Sequence, residues 1–133
     1  MSYDLFVQDL PPDLDTVDDI PEDFEPRSLG ARSDLIAKIL EILPTADFTD
    51  PSWGVVSGDG YSIEISLGEA QTVPSFVLHL RGGEGALPAA HHLLDSLGLD
   101  ALDPQAESGL FEFDDEAIAN FKAWRKFRDT VAD

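Results

Sequence analysis

Cysteine is absent from the 133 residues, which removes disulfide frameworks, thiol nucleophiles, cysteine zinc sites and iron–sulfur clusters together. Cations are scarce: 8 Lys and Arg stand against 27 Asp and Glu, a formal charge of −19. No apolar run approaches the roughly 18 residues of a membrane span. Met1 to Leu10 carries Asp4 and Asp9 where a secretory signal needs cations, so a cytoplasmic address is expected. Internal repeats and low-complexity blocks are missing as well. Catalytic signatures are equally thin, for the chain holds no G-x-S-x-G, no H-E-x-x-H and no Walker loop.

What is present argues for a folded body. Hydrophobic residues make up 43% of the chain, with eight Phe, two Tyr and two Trp, which sets it apart from a disordered acidic tail. A chain of this length buries roughly 68% of its unfolded surface, enough for one core, so a single domain over 1–133 is expected. The charge is uneven. Residues 1–26 hold nine carboxylates and no cation, residues 27–121 hold sixteen against four, and residues 122–133 hold two against four. The Pro-punctuated stretch over 11–27 is the one long candidate loop.

Periodicity supplies the elements. Ser2 to Leu10 alternates Tyr3, Leu5 and Val7 against Asp4, Phe6 and Gln8, a strand with one buried face that Pro11-Pro12 should end. Leu35, Ile36, Ile39, Leu40 and Leu43 fit a helix capped by Ser28 or Ser33 and stopped by Pro44. Trp53 to Ser57 and Tyr61 to Leu67, joined through Gly58-Asp59-Gly60, read as a hairpin, and Ser75 to Arg81 as the next strand. A helix follows the Gly82–Gly85 run, with Pro88 in its first turn and Gly98 at its end. A short strand near Leu110 to Phe113 precedes a last helix capped by Asp114, with an apolar stripe of Ile118, Phe121, Trp124, Phe127 and Val131. The order β-α-β-β-β-α-β-α predicts an α+β fold, a mainly antiparallel sheet of four to five strands with about three helices packed on it.

Several constellations invite a chemical role. His91 and Asp95 share a helix face and His79 could approach them, but adjacent His91 and His92 point about 100° apart, so no metal is expected. Glu64 and Glu112 fall on predicted strands, where solvent-facing alternation explains them. Asp47, Asp50 and Asp59 miss the calcium-loop spacing. Arg81-Gly82-Gly83-Glu84-Gly85 precedes a helix, yet it lacks a Lys and carries Glu84, so turn-making explains it better than phosphate binding. Lys122, Arg125, Lys126 and Arg128, interleaved with Trp124 and Phe127, cannot offset a body of −19 against nucleic acid. No catalytic residue and no cofactor are therefore expected.

The sharpest feature is Asp13, Asp15, Asp18, Asp19, Glu22, Asp23 and Glu25, spaced through an extended segment with Leu14, Val17, Ile20 and Phe24 between them. Charge that steers encounter, interleaved with apolar anchors, suits docking onto a basic protein. The residues named for this partner surface are Asp13, Asp15, Asp18, Asp19, Glu22, Asp23, Phe24 and Glu25.

Three segments also resemble a known group: Met1-Ser2-Tyr3-Asp4-Leu5, Gly58-Asp59-Gly60-Tyr61-Ser62-Ile63-Glu64-Ile65, and Leu97-Gly98-Leu99 with Leu102-Asp103-Pro104-Gln105 and Gly109-Leu110-Phe111. Together they resemble small bacterial proteins beginning Met-Ser-Tyr-Asp-Leu, akin to the immunity proteins of polymorphic toxin systems. Here Ala106-Glu107-Ser108 precedes Gly109, which lengthens the Asp-Pro-Gln-x-Gly form of that group. The resemblance implies a non-catalytic protein that neutralises a basic toxin domain acting in the cytoplasm, and it carries over no catalytic residue. Two alternatives stand beside it. One is a housekeeping interaction or regulatory domain whose charge serves solubility, as a homo-oligomer through an apolar sheet face; the other is an enzyme or small-ligand binder with a pocket around Trp53, Tyr61, His79 and Gly82–Gly85.

Overall fold

Tyr3, Leu5 and Val7 are buried while Asp4, Phe6 and Gln8 remain open, so the amino-terminal alternation becomes strand β1 (Tyr3–Gln8). The computed structural model describes residues 2–11 and 13–132, with side chains as far as Asp129, so Pro12 and the Val131 side chain lie outside the described residues. The chain continues through α1 (Arg32–Ile42), β2 (Asp47–Asp50), β3 (Trp53–Gly58), β4 (Tyr61–Ser66), β5 (Phe76–Gly82), α2 (Ala86–Leu97), β6 (Asp100–Leu102) and α3 (Asp115–Ala132). The strands form one six-stranded sheet in the order β2-β3-β4-β5-β1-β6, with every pairing antiparallel. The α+β class is as expected, with one strand more than the upper end of the expected range.

One face of this sheet is covered. Tyr3, Leu5, Val7, Ile63, Ile65, Phe76, Leu78 and Leu80 join Leu35 and Ile39 of α1, Leu87, Ala90 and Leu93 of α2, and Phe121 and Trp124 of α3 in a single core. Each large side chain buried there contributes about 1.5–3 kcal/mol. The Tyr3, Phe121 and Trp124 rings pack with centroids 5.1–6.2 Å apart, which holds α3 against β1, the strand next to the β6 edge.

Turns and caps follow from local chemistry, with some departures from expectation. Gly60 takes a positive φ of +79° in the β3–β4 turn, and the Gly83 N–H donates to its carbonyl at 2.7 Å. A Cβ on Gly82 would stand 2.7 Å from that same oxygen, so the glycine run exists to dock on the hairpin turn. Gly98, at φ +68°, ends α2 as expected, and Asp114 caps α3 by accepting the Ala117 N–H at 2.9 Å. Neither Ser28 nor Ser33 caps α1. Its flanking residue is Ala31, and the Arg32 N–H donates to the Gln71 carbonyl at 2.8 Å, so the loop before β5 satisfies the helix start. Phe127 stands 59% exposed, outside the buried stripe of α3.

The last strand is displaced. Gly98 turns the chain directly along β1, so β6 forms at Asp100–Leu102, and Leu110 makes a single bridge to Leu102 where a strand to Phe113 was expected. The extra strand, β2, is a short edge rich in carboxylates. The Asp47 and Asp50 side chains accept hydrogen bonds from Thr49 and Ser52, whose hydroxyls hold both carboxyls below the usual carboxylate range. Charge of this kind keeps a sheet edge from pairing with other chains.

Candidate functional site

The acidic segment is built into the body at defined points. Thr16 and Asp19 form a reciprocal cap on the 3-10 turn Val17–Asp19: the Thr16 hydroxyl accepts the Asp18 N–H at 3.1 Å, and the Asp19 carboxylate accepts the Asp15 and Thr16 N–H groups at 3.2 and 3.1 Å. The Val17 N–H then donates to the Ser108 carbonyl at 2.9 Å, and Val17 lies over Gly109 so closely that a Cβ there would stand 2.5 Å from a Val17 methyl. Asp13, Asp15, Asp18, Asp19, Glu22, Asp23 and Glu25 are all exposed. Leu14, Val17, Ile20 and Phe24 are half-buried, so the apolar residues anchor the segment while the carboxylates line its outside. Asp13 adopts φ +60°, a left-handed conformation that aspartate tolerates. Asp19 differs from its neighbours, since its carboxylate serves the local backbone.

The loop that Val17 meets begins at Asp103, 1% exposed and the sole buried charged residue among those described. It accepts the Tyr3 hydroxyl at 2.8 Å and the Gln105 N–H at 2.9 Å, tying the 103–110 loop to β1. Burial pushes its carboxyl above the usual range, against the pull of those hydrogen bonds. Burial also drives the Tyr3 phenol well above its ordinary value, and the neighbouring Asp103 adds to that effect. The pair is a brace.

Among the described residues no helix packs on the other sheet face. Asp4, Glu64, His79 and Arg81 stand on it together, with Trp53 and Phe6 38% and 41% exposed. The Trp53 and His79 rings stack at 5.4 Å, the His79 Nδ1 lies 2.8 Å from Asp4, and Arg81 pairs with Glu64 at 3.3 Å. Ser2 also approaches His79, at 3.4 Å, but both oxygens face Nδ1. A nucleophilic triad needs the carboxylate and the hydroxyl on opposite ring nitrogens, so this arrangement is not one.

The remaining candidates separate. His79 and α2, which carries His91, lie on opposite sides of the sheet, and the His91 ring packs 5.5 Å from Phe113. Among the described residues no group of three or more His, Asp or Glu could hold a metal ion. Tyr61 packs against Gly58 and Gly85, whereas Trp53 and His79 stand on the open face, so the ligand pocket imagined around these residues is divided between two sides of the sheet. Lys122 and Arg125 face Glu84 at 3.9 and 3.8 Å, and Arg128 lies 5.0 Å over the Trp124 ring, so these terminal cations are engaged within the molecule.

Two hollows border β6, and no sequence signal marked them. One, about 170 Å³, is lined in part by Leu10, Asp13 and Leu14; the other, about 230 Å³, in part by His91, Asp95, Leu99 and Phe113. Both include Asp100, Ala101, Phe111 and Glu112 in their walls. Among the described residues no helix is long and apolar enough to cross a membrane. No family model, no curated protein and no solved structure matches this chain.

Proposed function

We propose that this protein is a non-catalytic binding module of the immunity type, whose acidic surface docks onto and neutralises a basic protein. The observation that carries the reading is the segment from Asp13 to Glu25, where seven carboxylates occur without a cation and all are exposed. Anchoring at Val17 supports it further, because a charged surface held in place loses less conformational entropy on binding than a free tail. Opposed fields raise association rates to as much as ~10⁸–10⁹ M⁻¹s⁻¹ at low salt, while buried apolar contacts hold the complex once formed. The resemblance of the three segments to immunity proteins points to a toxin domain as that partner, acting where this protein resides.

Capture tests the reading. The immobilised protein, exposed at low salt to extract from cells that encode it, should retain a basic protein that elutes as salt rises. Asp13, Asp15, Asp18 and Asp23 replaced together by Asn should abolish most of that retention, with Asp19 kept because it caps the turn. Recovery of nothing, or of a partner indifferent to both salt and the four substitutions, would contradict it.

A further inference from the structure

The two hollows beside β6 combine apolar walls with an acidic rim. Leu14, Leu99, Phe111 and Phe113 supply apolar surface, and Asp13, Asp95, Asp100 and Glu112, all exposed, supply four carboxylates. No Lys or Arg is among the described residues that line either hollow. Phe113 is 40% exposed and is backed by the His91 ring at 5.5 Å, which presents an aromatic surface at the mouth of the larger hollow.

Such a lining selects for one kind of side chain. Arginine and lysine carry an apolar stem three or four methylenes long beneath a cationic head, so the stem can lie on hydrocarbon while the head stays at a polar rim. An apolar side chain would leave four carboxylates without a counter-charge, and an acidic one would be repelled. We infer that the hollows bordering β6 receive arginine or lysine side chains of the basic partner, with Asp100 and Glu112 of their shared wall pairing the cationic heads and Phe113 offering its ring to a guanidinium. The inference rests on the basic-partner reading above and adds the place and chemistry of its specific contacts. Asp13 belongs both to the first hollow and to the acidic segment, so the partner can span the two surfaces continuously.

The probe is a ten-residue peptide of alternating arginine and alanine, compared with its citrulline counterpart, which keeps the shape and loses the charge. Titrated at 150 mM salt into the full ¹⁵N-labelled chain, the arginine peptide should shift the amides of Asp100, Ala101, Phe111, Glu112 and Phe113 most, and the citrulline peptide should shift none. The double substitution Asp100→Asn with Glu112→Gln, at two exposed side chains, should weaken the arginine peptide about tenfold with no change in the unfolding midpoint, as two rim ion pairs warrant. Phe113→Ala gives an independent second variant with the same direction of effect. Shifts confined to residues 13–25, with affinity unmoved by these variants, would overturn the inference and leave the acidic-segment reading standing. Absence of any binding even at 20 mM salt would remove both.

Discussion

Asp103 shows how one buried charge can organise a loop. Its carboxylate accepts the Tyr3 hydroxyl in a buried hydrogen bond and the Gln105 N–H in a part-buried one. Removing the phenol oxygen with Tyr3→Phe should cost about 1–3 kcal/mol in urea unfolding, because it leaves a buried carboxylate short of a donor. The pH dependence has a fixed sign. A carboxyl whose folded value lies above its unfolded one binds more protons in the folded state, so its favourable contribution is present at low pH. That contribution is lost as pH rises from the ordinary carboxyl value near ~4 through the raised folded value. Asp103→Asn should therefore gain stability relative to the parent as pH rises through that window, which denaturant titrations at a series of pH values will measure; a flat difference would contradict the assignment. Little of this was legible beforehand. The alternation marked Tyr3 as inward, but its partner lies 100 residues away, and nothing in Leu102-Asp103-Pro104 announces a buried acid. The acidic segment, by contrast, was evident from composition alone, since charge density is a local property.

Elements were readable where a side-chain period decides them. Phe76, Leu78 and Leu80 are buried against Val77, His79 and Arg81 as the alternation required, and the α2 and α3 ends carry the expected Gly98 and Asp114. Reading failed where an element owes its existence to a neighbour. β2 is Asp-Phe-Thr-Asp, a poor strand by composition, and it exists because β3 offers it a hydrogen-bonding edge. α1 starts without a side-chain cap because Gln71, distant in sequence, supplies the acceptor. The hollows beside β6 were invisible for the same reason, as their walls come from four separate stretches of chain. Attachment of the acidic segment makes its own prediction. Gly109→Ala would strain a φ of +78° and press a methyl into Val17, so it should destabilise the protein by about 1–3 kcal/mol. It should also accelerate hydrogen exchange at the Val17 N–H, whereas unchanged exchange there would show that the segment is held by other means.

For the molecule as a whole, a charge of −19 on a sheet covered by helices on one face has two consequences. Self-association is opposed by like charge, and approach of a cationic protein is favoured over distances of about one Debye length, ~8 Å at physiological salt. The covered face supplies rigidity, the segment from Asp13 to Glu25 supplies field, and the hollows at β6 supply places for side chains to lodge. The measurement that bears most directly on this account is the association rate with the captured basic protein as a function of ionic strength. It should be compared between the parent and the variant with Asn at positions 13, 15, 18 and 23. The parent rate should fall about tenfold or more as salt rises from low to physiological, and the variant should start slower and depend less on salt. Equal rates for the two proteins, with no dependence on salt, would contradict it.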